Sequence, residues 1–92
     1  MTLSQYTRLS LQGIKRAGGT VFVSHPETVS GQPGFYLEYS LPIGPKGGLR
    51  AAELWRFGHG KAWLITYTAD PEHFSDQLSM VRRLMASVVL PA

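Results

Sequence analysis

The residues of this 92-residue chain that could do chemistry are three histidines, six carboxylates and ten aromatic side chains. A metal centre would need His25, His59 and His73 to converge, and none sits in an HxH or HExxH spacing. His73 and Asp76 lie three apart on an expected helix, which offers only two ligands of different kinds. Glu53 is the carboxylate with a claim to acid–base work. It shares strand parity with Leu49, Ala51, Trp55 and Phe57, so if that face is the core it needs a partner such as Arg50, Tyr39 or Tyr67. The stretch Gly44-Pro-Lys-Gly-Gly48 lacks the spacing of a phosphate loop and runs into a strand, which makes it a turn. No Gly-x-Ser-x-Gly elbow occurs. With no cysteine there is no catalytic thiol, thiolate metal site or disulfide. The reading is therefore of a chain without catalytic, cofactor or metal residues.

The aromatics suggest binding. Tyr36, Tyr39, Trp55, Phe57, Trp63 and Tyr67 fall on neighbouring expected strands and form the candidate interaction surface. Tyr, Trp and Arg dominate protein interfaces, so a protein partner or a homodimer is the first expectation. Interleaved with Arg50, Arg56 and Lys61, the same rings could stack single-stranded bases, which makes a small basic nucleic-acid binder the alternative. A small-ligand carrier with a pocket between sheet and helices is a third. The ordinary fate of strand aromatics is to pack under helices. Charge does not separate these readings. Nine Lys/Arg against six Asp/Glu give +3, and the basic residues scatter along the chain instead of clustering.

Positioning these residues takes six elements. Residues 3–17 read as a helix, with Thr2 and Gln5 at capping-box spacing and Leu3, Tyr6, Leu9, Gly13, Ile14 and Ala17 on one face. Leu11 falls off that stripe. Gly18-Gly19 supplies the stop. Residues 20–25 are β-branched and aromatic, and the strand ends at Pro26 before a turn cluster at 30–34. Residues 35–41 alternate, and 49–57 and 61–69 form two more strands about Gly58-His59-Gly60. Asp70-Pro71-Glu72 opens a closing helix, whose Phe74, Leu78, Val81, Met85 and Val88 make an amphipathic stripe widened by Leu84.

The expected fold is thus α+β, with an N-terminal helix, an antiparallel meander of three to four strands, and a C-terminal helix. Both helices are expected on one sheet face, in a single domain over 1–92. No apolar run is long enough to span a membrane, and the start has neither a basic n-region nor an apolar h-region. A cytoplasmic protein is expected.

Three stretches carry a family resemblance: Val29-Ser-Gly-Gln-Pro-Gly34 leading to Tyr36-Leu-Glu-Tyr39, then Ala62-Trp-Leu-Ile-Thr-Tyr-Thr-Ala69-Asp-Pro-Glu, and Met85-Ala-Ser87. In these the chain resembles the PsbP-like superfamily over roughly residues 3–90. That group includes the photosystem II extrinsic protein, a Ran-release factor, and LpqN-like and DcrB-like bacterial branches. The resemblance implies binding and assembly roles with no shared catalytic residues. Family members usually carry a strand hairpin ahead of the first helix, and this chain begins at that helix. A sheet lacking those strands would present an unpaired edge or an uncovered apolar face; the expectation is a fragment, a short start, or another chain that completes the sheet. The lipobox cysteine of the lipoprotein branch is absent, so no membrane anchoring is implied.

Overall fold

A computed structural model describes residues 2–44, 47–58 and 61–89. Helix α1 spans Leu3–Arg16, strands β1 to β4 span Thr20–Val29, Gln32–Leu41, Leu49–Gly58 and Lys61–Ala69, and helix α2 spans Phe74–Ser87. The four strands form one antiparallel sheet in sequence order, so β1 and β4 are its edges. This is the α+β arrangement that the sequence patterning predicts.

Local chemistry explains each boundary. At the start of α1 the Thr2 hydroxyl accepts from the Gln5 amide at 3.1 Å, and the Gln5 side chain accepts from the Thr2 amide at 2.8 Å. This reciprocal pair satisfies two of the donors a helix start leaves open. Strand β1 does not stop at Pro26 but runs on to Val29, because an edge strand can absorb the missing N–H. The turn is then only Ser30-Gly31, both at positive φ (49° and 77°), as a type I′ hairpin demands. Helix α2 begins at Phe74, three residues after Pro71, and the Asp70 carboxylate accepts from the His73 amide at 3.0 Å. The loop residues Pro45, Lys46, His59 and Gly60 lie outside the described residues, and with them the core of the Gly44–Gly48 turn and the tip of the last hairpin.

The two helices lie on opposite faces of the sheet, not on one. Alternate residues of a strand point to opposite faces. Leu37, Tyr39, Ala51 and Trp55 pack with Ile14, Leu3, Tyr6 and Leu11, under α1. Tyr36, Ala52 and Leu54 pack with Phe74, Met85, Leu78 and Val81, under α2. The central strands β2 and β3 are therefore buried on both sides, and a chain this short builds two thin cores.

The helix faces also differ in detail from the sequence pattern. Leu11, off the expected stripe, packs against the α1 core, whereas Leu9 is 50% exposed. On α2, Leu84 is 58% exposed. Gly13 sits inside α1, where a Cβ would meet nothing within 4 Å. Glycine costs helix stability through backbone entropy, so Gly13→Ala is expected to stabilise the fold by about 0.5–1 kcal/mol. A urea midpoint at or below that of the parent chain would contradict this placement.

Candidate interaction surfaces

The six candidate aromatics do not share a surface. Tyr39, Trp55 and Phe57 face α1, while Tyr36, Trp63 and Tyr67 face α2. Tyr36, Tyr39 and Trp55 are buried, and Phe57, Trp63 and Tyr67 are half-buried. Under α1, Tyr6 meets Trp55 edge-on at 5.1 Å and Phe57 at 5.2 Å. Under α2, Tyr67 packs on Phe74 at 5.3 Å and donates its hydroxyl to the Phe74 carbonyl at 3.0 Å. Tyr36, Tyr39 and Trp55 are therefore taken up in the two cores, on opposite faces of the sheet, instead of forming one free platform.

The arginines that would accompany stacked bases are engaged within the chain as well. Arg50 lies 4.0 Å over the Phe22 ring, and Arg56 is buried and donates to the Val29 carbonyl at 3.4 Å. Arg82, on α2, forks onto Glu27 of β1 at 2.8 and 3.3 Å and stacks 3.6 Å over the Tyr36 ring. Its pKa is raised, first by the hydrogen bond to Glu27. A lysine would keep the charge but lose both the fork and the stacked plane. Arg82→Lys is expected to cost about 1 kcal/mol in this half-buried setting. Equal urea midpoints for the two forms would refute that role.

Two phenols are tied to carboxylates. Tyr36 donates to Glu38 and Tyr39 to Glu53, each at 2.6 Å. Burial first, and then the hydrogen bond to the carboxylate, raise both phenols well above their ordinary 10.0. A raised acid holds its proton in the folded state, so its stabilisation is complete below the unfolded value and is lost as pH climbs past it. Unfolding free energy is expected to fall above about pH 10, at up to about 1.4 kcal/mol per pH unit per phenol. The Tyr36→Phe/Tyr39→Phe double variant should flatten this loss; an unchanged alkaline slope would place its origin elsewhere.

Glu53 thus has the Tyr39 partner that its strand parity called for, and it is half-buried on the α1 side of β3. His73 pairs with Asp70 at 2.8 Å rather than with Asp76. Asp70, Glu72 and His73 bring ligand atoms within 4.8 Å of one another. Here the carboxylate of Asp70 serves the entry of α2, accepting from both the amide and the ring of His73. His25 lies on β1 against the Tyr36 ring, centroids 5.5 Å apart, and His59 is outside the described residues. The described histidines do not converge.

A large opening lies elsewhere, between α1 and the edge strand β1. This groove of about 790 Å³ is floored by Val21, Pro26 and Phe35 and walled by Leu3 and Leu11, with Arg8 and Lys15 on its helix side. The Thr7 hydroxyl, also lining it, is buried without a hydrogen-bond partner among the described residues. Sequence reasoning missed this site. Leu11, the apolar residue off the helix stripe, was its one visible trace.

No described helix is long and apolar enough to cross a membrane. No family model and no curated protein matches the chain. Among solved structures it resembles a Pseudomonas aeruginosa protein of unknown function, PA94, described as a candidate regulator, with a TM-score of 0.88 and 13% sequence identity. The match covers 99% of this chain and 64% of that one, so the chain spans less than two thirds of its neighbour's length. At this identity the likeness establishes a shared fold.

Proposed function

We propose that the chain is a non-enzymatic protein-interaction module that receives an apolar polypeptide segment in the groove between α1 and β1. The observation that carries this reading is the groove itself: about 790 Å³ of mainly apolar lining beside a sheet edge. Apolar surface left open at this scale gains from burial against a partner. Arg8 and Lys15 on the helix side of the groove favour acidic residues flanking the apolar segment. The resemblance to the PsbP-like superfamily supports a binding and assembly role of this kind. The test is fluorescence anisotropy with a labelled leucine-rich peptide of about a dozen residues. Val21 is 37% exposed and outside both cores, and Val21→Glu is expected to weaken binding at least tenfold. Absent binding, or binding that Val21→Glu leaves intact, rejects the groove. A preference for a fatty acid over the peptide makes the chain a small-ligand carrier instead.

Self-association through β4 is a second reading, favoured by its own observation. Edge strand β1 carries Pro26 and a bulge between Val21 and Val23, devices that discourage further pairing. Strand β4 has neither. It pairs regularly with β3 along all nine residues, Lys61 is its sole charged residue, and Leu64 is 53% exposed. An antiparallel β4–β4 contact about a two-fold axis would extend the sheet and cover Leu64. Native mass spectrometry is expected to show a dimer that Leu64→Lys reduces to monomer; a monomeric parent chain disposes of this reading.

A further inference from the structure

On the other flank of α1 from the groove, a cleft of about 290 Å³ opens between the last two turns of the helix and strands β2 and β3. We propose that this cleft binds an organic cation, an ammonium or guanidinium group on an alkyl stem. Glu53 stands in its wall with Tyr39, Tyr6 and Ser10, and the helix contributes Gly13 and Ala17.

Four features converge on that ligand chemistry. Among the described residues Glu53 forms no ion pair, and its hydrogen-bond partner is the Tyr39 hydroxyl on Oε1. A carboxylate offers about four acceptor positions, so Glu53, in the cleft wall, keeps acceptor capacity beyond the Tyr39 bond. Second, Tyr39 spends its proton on Glu53, so towards any further partner its hydroxyl oxygen can only accept. Third, Ala17 is the C-terminal cap of α1, where helix carbonyls and the negative end of the dipole favour positive charge. Of the two basic residues in the last turn of α1, Lys15 lines the groove on the opposite flank, and neither it nor Arg16 lines the cleft. Fourth, Gly13 lowers the cleft wall although no packing inside the chain requires it, since a Cβ there would meet nothing within 4 Å. An occupant can then lie against bare helix backbone, with the Tyr6 and Tyr39 rings beside its charged end. The volume suits a stem of about four carbons, at the small end of ligand pockets.

This assignment stands apart from the α1–β1 groove and is tested apart from it. The whole chain, labelled with 15N, is titrated with n-butylammonium chloride, with n-butanol and sodium chloride as the uncharged and ionic controls. Saturable amide shifts are expected at Gly13, Ala17 and Glu53 with butylammonium alone. Glu53→Gln, which retains an acceptor for Tyr39, should weaken binding at least tenfold. Gly13→Leu fills the cleft with a good helix former and should abolish binding while leaving the fold intact. Two further probes separate the sources of the cation. N-acetyl-lysine methylamide binding as tightly as butylammonium assigns a peptide side chain, and spermidine binding at least tenfold tighter assigns a free polyamine. Equal shifts with butanol, no saturable shift with butylammonium, or full binding by Glu53→Gln would overturn the proposal.

Discussion

Replacing Trp55 by alanine is expected to cost about 3–5 kcal/mol, a large part of the stability of a domain this small. The indole is 1% exposed and is gripped from two directions: edge-on by Tyr6 of α1 at 5.1 Å, and face-on by Phe35 of β2 at 5.5 Å. Truncation would open a cavity between helix and sheet that neither neighbour can fill without moving backbone. The aromatic pairs add specific ring contacts to the lost burial. The expected loss is in fold stability, whereas a surface role would have weakened association and left the fold intact. Equilibrium unfolding in urea, followed by circular dichroism, separates the two. Trp55→Phe, which keeps a ring and removes a buried indole N–H without a partner among the described residues, should cost distinctly less. An alanine variant within 1 kcal/mol of the parent chain would remove Trp55 from the core.

The elements were legible because their signals are local. The Thr2–Gln5 capping box, the alternation of residues 35–41, and the Phe74–Met85 stripe each need only neighbours in sequence, and each stands in the structure. Which face each helix covers was not legible. On β2 the larger apolar residues Phe35, Leu37 and Tyr39 share one parity, and Tyr36 on the other reads as a polar-face tyrosine. It is 1% exposed, because its ring lies under Arg82 and its hydroxyl is satisfied by Glu38. On β3 both parities are apolar, as a strand covered on both sides requires, and Glu53 and Arg56 obscure the pattern.

Edge and helix placement hid the rest. Proline normally ends a strand, and Pro26 is tolerated only because β1 is an edge, a fact of sheet order rather than of sequence. The two openings beside α1 depend on where the helix axis crosses the sheet. Leu11 lies off the expected stripe on one flank and Gly13 leaves it without a side chain on the other, and a stripe alone does not say that either marks a gap. Glu53 was singled out by parity, and its bond to Tyr39 follows from the pairing of β2 with β3.

Gly34→Ala is expected to cost about 2–3 kcal/mol. Gly34 needs no unusual φ; it needs space. A Cβ there would stand 2.5 Å from the Trp55 carbonyl, 2.6 Å from Val29 Cγ2 and 3.0 Å from the Glu27 carbonyl. Two of these atoms are backbone of the flanking strands, so no side-chain rotation relieves the contact. Gly34 pairs with Glu27 on one side and Arg56 on the other, and moving it shifts both ladders. Gly31 is a useful contrast. Its φ of 77° is strained for alanine, but a Cβ there meets nothing within 4 Å, so Gly31→Ala should cost only about 1 kcal/mol. With Gly13→Ala stabilising, the three variants order by cause: open helix, strained turn, filled sheet. Urea midpoints measured side by side check that order, and a Gly34→Ala variant no weaker than Gly31→Ala would break it. The cost at Gly34 is not local, because its neighbours belong to different cores. Trp55 packs under α1 and Val29 under α2, so a displaced β2 at this point loosens both faces of the sheet at once.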